Sequence, residues 1–404
     1  MKILFIAPLP PPVHGSAMVS QYIKDSRLVN EQHDCDFVNL STSRRMDEIG
    51  KGGIKKLLRF VGAYLTLLWK LLTRRYDLCY LAITCHGVGF LKDAPFVLLC
   101  KLFRRKVMIH QHNKGMNRYV DRWPYRWLLP LVYRNTRVML LSWHLYPDIA
   151  AVVKREQVVV CANGIPQQNC EVKGDGGSRA AAHNPITHNP ITHNPITHNP
   201  ITHNPITHNP ITNSQQPSAK ILFLSNLIPS KGVYVLLDAC SVLKERGLAF
   251  ICDFVGGETK EISAEVFREA VAARGLEEHV TYHGPKYGEE KHRFFMNADV
   301  FVFPTFYFNE CFPLVLLEAM QWRLPLVSSD EGGIPDIVQD GVNGFVSPRQ
   351  DVDSLANALE RLITDPALRQ QMGEAGYQRY CEEFTLEAFE KRFAAELRGV
   401  TFTD

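Results

Sequence analysis

Short apolar runs recur along the chain, separated by longer stretches with helical spacing. In the first half they are KILFIA from Lys2, CDFVNL from Cys35, LCYLAI from Leu78, KVMIHQH from Lys106, RVMLLS from Arg137 and QVVVCA from Gln157. In the second half they are KILFLS from Lys220, FICDFVGG from Phe250, HVTYHG from His279, DVFVFP from Asp299 and LPLVSS from Leu324. Strands that are apolar throughout, rather than at every second position, are covered on both faces, as in a parallel sheet flanked by helices. Two such series predict an α/β chain of two Rossmann-like domains in tandem.

Between the series lie six exact copies of HNPIT, residues 183–212. A proline every fifth residue forbids a helix, and one isoleucine per unit cannot bury enough surface to fold. The segment reads as a linker, or alternatively as a histidine-rich metal collector. Proline follows each asparagine, so the repeat holds no N-glycosylation acceptor. The expected division is residues 1–170, a linker over 171–217, and residues 218–384. A last helix, about 385–404 with Thr385 as its cap, is expected to cross back to the first domain.

Composition narrows the class. Apolar residues make up 46% and charged residues 22% of 404, with formal net charge +3. That is ordinary for a soluble globular protein, and too weak a charge to argue for nucleic acid. The ten cysteines form no C-x-x-C pair, which reads as a reducing, cytoplasmic compartment without a zinc ribbon. The opening MKILFIAPLPPP reads as a first buried strand rather than an export signal. Residues 51–77 mix leucines and aromatics with Lys55, Lys56, Arg59, Lys70, Arg74 and Arg75. They read either as an ordinary helix packed on its sheet or as one lying on the inner face of an anionic membrane.

Candidate chemistry clusters after the strands. Gly15 stands in the loop after the first strand and lets backbone approach a ligand at a helix start. His110 and His112 share one face of the fourth strand, and His112 is nearer its C-terminal end, where open sheets bind ligands. Lys231 and Gly232 precede a helix starting near Val233; an ammonium there calls for an anion, a phosphate being the obvious one. In FNECFPLVLLEAM, Pro313 fits a helical first turn, leaving the amides of Leu314 and Val315 free for a diphosphate. Glu310 lies in the loop before that helix and Glu318 within it, so the two carboxylates are expected to flank the site. Gly332 and Gly333 mark another close backbone approach, while Gly341 and Gly344 read as turn residues.

Taken together, HGSAMVS, IHQHNKG, LSNLIPSKG, FVGG, HGPKYGEEK, ADVFVFPT, ECFPLVLLEAM and EGGIPDIVQDGVNGFV resemble a family-4 retaining glycosyltransferase of the GT-B fold, two Rossmann-like domains facing across a cleft. The resemblance implies that Glu310 binds donor-sugar hydroxyls, Glu318 the ribose, and Lys231 with the Leu314 and Val315 amides the diphosphate. Gly15 would line the cleft, His112 would sit beside the reacting sugar, and backbone near His283 and Gly284 would read the base. Asn226, Cys311 and Phe312 fall on the same donor site. Asn226 stands where the family usually has arginine, and Cys311 where it has glycine. The implied enzyme is a metal-independent hexosyltransferase without cofactor. Its nucleotide-sugar donor would give a sugar to a hydroxyl acceptor. If residues 51–77 lie on the membrane, the expected acceptor is a glycan or lipid-linked glycan of bacterial surface polysaccharide synthesis, and the cytoplasmic protein is peripheral on the inner membrane face. A nucleotide-sugar epimerase or hydrolase of the same fold, and a non-catalytic sugar-binding protein, are the rival readings.

Overall fold

The structure, a computed structural model, describes residues 1–12, 15–41, 53–168 and 218–399. The HNPIT repeat and the whole of the expected linker, 171–217, lie outside the described residues, so neither reading of the repeat is addressed.

Two six-stranded, all-parallel sheets form. The first runs β1 (Lys2–Ala7), β2 (Asp34–Asn39), β3 (Leu78–Ile83), β4 (Lys106–Gln111), β5 (Arg137–Leu140) and β6 (Val158–Val160), in the spatial order β2-β1-β3-β4-β5-β6. The second runs β7 (Ala219–Leu224), β8 (Phe250–Val255), β9 (Val280–Tyr282), β10 (Val300–Phe303), β11 (Leu326–Ser329) and β12 (Gly344–Ser347), in the order β12-β11-β10-β7-β8-β9. All eleven apolar runs read from the sequence are strands. The twelfth strand corrects the sequence reading: Gly344 begins an edge strand paired with β11, not only a turn. Four residues with a glycine at one end carry too little periodicity to announce a strand.

Alternation along β1 shows why both faces had to be apolar. Ile3, Phe5 and Ala7 pack with Val19, Ile23, Phe389 and Phe393 on one face. Leu4 and Ile6 belong to the opposite cluster with Leu67, Phe90 and Leu129. The C-terminal helix Leu386–Arg398 therefore lies on the first sheet, although it follows the second in sequence. Thr385 caps it, accepting from the Ala388 amide at 3.1 Å. The chain crosses between the lobes at Ile165, whose carbonyl accepts from the Leu386 amide and the Tyr380 hydroxyl.

Strand order locates the ligand-binding edge. In the second sheet the direction of winding reverses between β7 and β10; in the first it reverses between β1 and β3. Loops beyond the strand C-termini at such points diverge and leave a crevice. Among the described residues no helix is long and apolar enough to cross a membrane.

Candidate active site

Two loops leave the switch point of the second sheet and are locked together. After β7 the chain makes a tight turn, Pro229–Lys231, then passes through Gly232 into the helix Val233–Glu245. Gly232 has φ +89°, and a Cβ there would stand 2.2 Å from the Pro304 carbonyl oxygen. Only glycine allows the turn to press on the loop after β10. The Phe306 amide donates to the Ser230 carbonyl at 2.8 Å and completes the join.

The join brings Lys231 to Glu310. The ammonium donates to Glu310 Oε2, with side-chain exposures of 16% and 11%. It also lies 4.5 Å from the Tyr307 ring centroid. Lys231 thus has a carboxylate of the chain itself as its partner. From the other side Gly332, at φ +58°, allows close approach to the Glu310 carbonyl, and the Gly333 amide donates to the Cys311 carbonyl at 2.7 Å. The close approach expected of Gly332 and Gly333 is therefore made to this loop.

Lys231 and Glu310 open into a cavity of about 500 Å³ between the lobes. Gly15, His112, Leu141 and Asn163 line it from the first lobe; Cys311, Phe312, Leu314 and Val315 line it from the second. The helix over Leu314–Gln321 begins one residue later than the sequence reading placed it, with Pro313 as the cap position. Its first-turn residues still face the cavity, where amides lack helical carbonyl partners. Gly15 comes within ordinary contact of Leu314: a Cβ built on it would lie 4.0 Å from Leu314 Cδ1.

Of the two histidines only His112 reaches the cavity. His110 is fully buried, its ring centroid 4.0 Å from that of His112, and its Nδ1 meets the Tyr80 hydroxyl. Burial, then the neighbouring His112, pushes its pKa well below the usual histidine value. Asn163, which sequence reasoning passed over, is buried and its Oδ1 has no hydrogen-bond partner among the described residues. Burial, then the charges of Cys85, Glu310 and Asp148, raises the Cys311 thiol well above its ordinary range, so it lines the pocket as a neutral group.

Glu318 lies in a neighbouring cavity of about 280 Å³ that shares Met18 and Leu314 with the first. Lys291 donates to its Oε1 at 2.8 Å. Tyr22 faces it from the first lobe, its pKa raised by burial and then by Glu318. The two glutamates thus occupy adjoining spaces on either side of the helix start. Lys291 was within a quoted motif, but only the fold shows its partner.

Asn226 and Gly284 do not line this cavity. Asn226 is exposed, and its Oδ1 accepts from the Gly257 amide at 3.2 Å, bracing the β7 loop against the β8 loop. Gly284, at φ +68°, follows β9, and its carbonyl accepts from the Gly256 amide. A further bond across the cleft also escaped the sequence: Lys114 donates to buried Glu331, which Arg349 meets at 3.3 Å. Among the described residues no cluster of three or more His, Cys, Asp or Glu is placed to hold a metal ion.

With this geometry in place, the likeness to solved structures decides the architecture. The chain superposes on sucrose-phosphate synthase from Thermosynechococcus elongatus over 98% of both chains, with a TM-score of 0.69 at 19% identity. It superposes on Anabaena Alr3699/HepE in complex with UDP over 99% of this chain and 100% of that one, with a TM-score of 0.69 at 16% identity. The fold is GT-B.

Within this GT-B chain, residues 207–379 match the family model for glycosyl transferases group 1. The amylovoran biosynthesis glycosyltransferase AmsK of Erwinia amylovora is 35% identical over 147 residues, 35% of each protein. The matched stretches span between 34% and 45% of the first curated relatives.

Proposed function

We propose that this GT-B chain is a retaining glycosyltransferase that moves a sugar from a nucleoside diphosphate to a hydroxyl acceptor. The observation that carries the reading is the Lys231–Glu310 pair, held at a sheet switch point beside a helix start and inside an interlobe cavity. An incoming diphosphate competes with Glu310 for the ammonium. Lys231 and the Leu314 and Val315 amides then face the phosphates, and Glu310 is released to accept hydrogen bonds from sugar hydroxyls. Glu318, one cavity further on, faces the ribose. His112 and Asn163 meet the sugar from the opposite lobe.

In the reaction the bond between the anomeric carbon and the diphosphate oxygen breaks, and one to the acceptor oxygen forms on the same face. The acceptor proton passes to the departing phosphate. Negative charge grows on that phosphate, and preorganised donors at this position carry the largest rate effect. These groups carry the charge without a resident metal or cofactor. Glycan or lipid-linked acceptors of surface polysaccharide synthesis are the proposed class; AmsK, by its name, serves amylovoran biosynthesis.

The test is release of nucleoside diphosphate from nucleotide sugars, with and without acceptor. Lys231→Ala is expected to lower turnover about 100-fold or more. Its melting temperature, followed alongside, reports whether the fold survives. A folded variant with near-normal turnover overturns the assignment of Lys231. Diphosphate release unaffected by any acceptor points instead to a hydrolase or epimerase.

A further inference from the structure

The formal charge of +3 conceals a strong asymmetry. Residues 49–147 hold eighteen lysines and arginines against three acids, Asp77, Asp93 and Asp121, a net +15. This basic stretch carries the three helices that cover one face of the first sheet: Ile54–Thr73, Gly87–Leu102 and Tyr125–Tyr133. The first packs on the second and the second on the third, so they form one layer.

The outer side of that layer is apolar where a globular protein should be polar. On Ile54–Thr73, Leu67 and Leu71 turn inward and are buried. Leu58, Val61, Leu65, Trp69 and Leu72, spaced as one helical stripe, are exposed. A helix apolar on both sides needs something to cover its second side. On the third helix, across the middle one, Trp127 and Leu131 are exposed as well. One side of the helix Ile54–Thr73 packs inward, as the sheet-packed reading expects, and its other side is apolar and exposed among the described residues.

Parallel topology orients the layer. Helices that join parallel strands run against them, so their N-terminal ends lie at the strand C-terminal edge, which is the cleft edge. The most exposed large apolar side chains gather there: Val88 at 82%, Trp123 at 80% and Ile54 at 79%. His86, which precedes Val88 by two residues, hydrogen-bonds Asn309 across the cleft at 2.8 Å.

We propose that this face docks on an anionic lipid bilayer, with the Leu58–Leu72 stripe, Trp123 and Trp127 entering the interface and the surrounding lysines and arginines meeting the headgroups. The occupant follows from the combination of features. Leucine and tryptophan between cations suit the acyl–headgroup boundary of an anionic surface. A nucleic acid would use the cations and leave the leucine stripe bare. The inference rests on surface chemistry and not on the reaction proposed above.

The test is flotation of the full chain with phosphatidylcholine vesicles, with and without added phosphatidylglycerol. Binding is expected to be about tenfold or more tighter with phosphatidylglycerol, and weaker in high salt. Leu58→Glu with Leu65→Glu should abolish flotation while the melting temperature and nucleotide-sugar turnover persist. Lys55→Gln with Arg75→Gln, two exposed positions that leave the packing alone, should weaken binding to anionic vesicles selectively. Absence of flotation in either lipid overturns the proposal, as does equal flotation of the charge variant. A parent chain that sediments as a dimer, becomes a monomer on Leu58→Glu and ignores vesicles assigns the face to a second copy instead. Retention on duplex nucleic acid without vesicle binding likewise overturns it.

Discussion

At the scale of single residues, the site depends on two glycines as much as on its charged groups. Gly232 allows Lys231 to meet the loop after β10, and Gly332 allows the loop after β11 to press on Glu310. A Cβ at Gly332 would lie 2.2 Å from the Glu310 carbonyl oxygen, at a φ of +58° that L side chains rarely adopt. Gly332→Ala should therefore displace Glu310 and lower turnover by about tenfold or more, since sub-ångström placement of reacting groups matters. Donor turnover and melting temperature measured together check this; a variant with parental turnover means the loop relaxes elsewhere. Residue types were legible from the sequence here: an ammonium before a helix, a carboxylate before a proline, a glycine pair after a strand. Their mutual partners were not. Nothing local shows that Lys231 rests on Glu310, that Lys291 holds Glu318 or that Lys114 reaches Glu331, because each pair joins separate elements.

At the scale of elements, the apolar runs marked eleven strands because both faces of each sheet are covered. Only β12, short and at an edge, lacked that signal. The helix Ile54–Thr73 is tied to its sheet through one carboxylate on β2. Lys70 and Arg74 each donate to Asp36 at 2.8 Å, and the Tyr76 hydroxyl donates at 2.6 Å. Burial alone would raise Asp36, but these hydrogen bonds outweigh it and lower its pKa to about 2. A carboxylate depressed on folding contributes stability above its unfolded pKa, about 3.9, and that contribution fades as pH falls toward the folded value. Asp36→Asn should lower stability against urea at pH 7, and the gap to the parent should close between about pH 4 and pH 2. A gap at pH 3 as wide as at pH 7 contradicts that role.

At the scale of the whole molecule, two sheets present their binding edges to one another, and the cavity takes its walls from both. A nucleoside diphosphate bound there touches groups that unfolding scatters, so it should stabilise the chain by about 2.7 kcal/mol at a hundredfold excess over Kd. A thermal-shift panel of nucleotide sugars reads this directly, and a flat response across the panel counts against a donor site. The sequence alone determined the number and kind of layers, the two-lobe α/β class and which stretches carry charge near a helix start, because burial on two faces and helix-start chemistry are local patterns. Only the tertiary structure decided that Lys231 is neutralised by Glu310, that His112 and not His110 reaches the cavity, and that the leucines of Ile54–Thr73 divide between core and solvent. Each of these depends on which surfaces meet, and chain segments far apart in sequence are brought together only by packing.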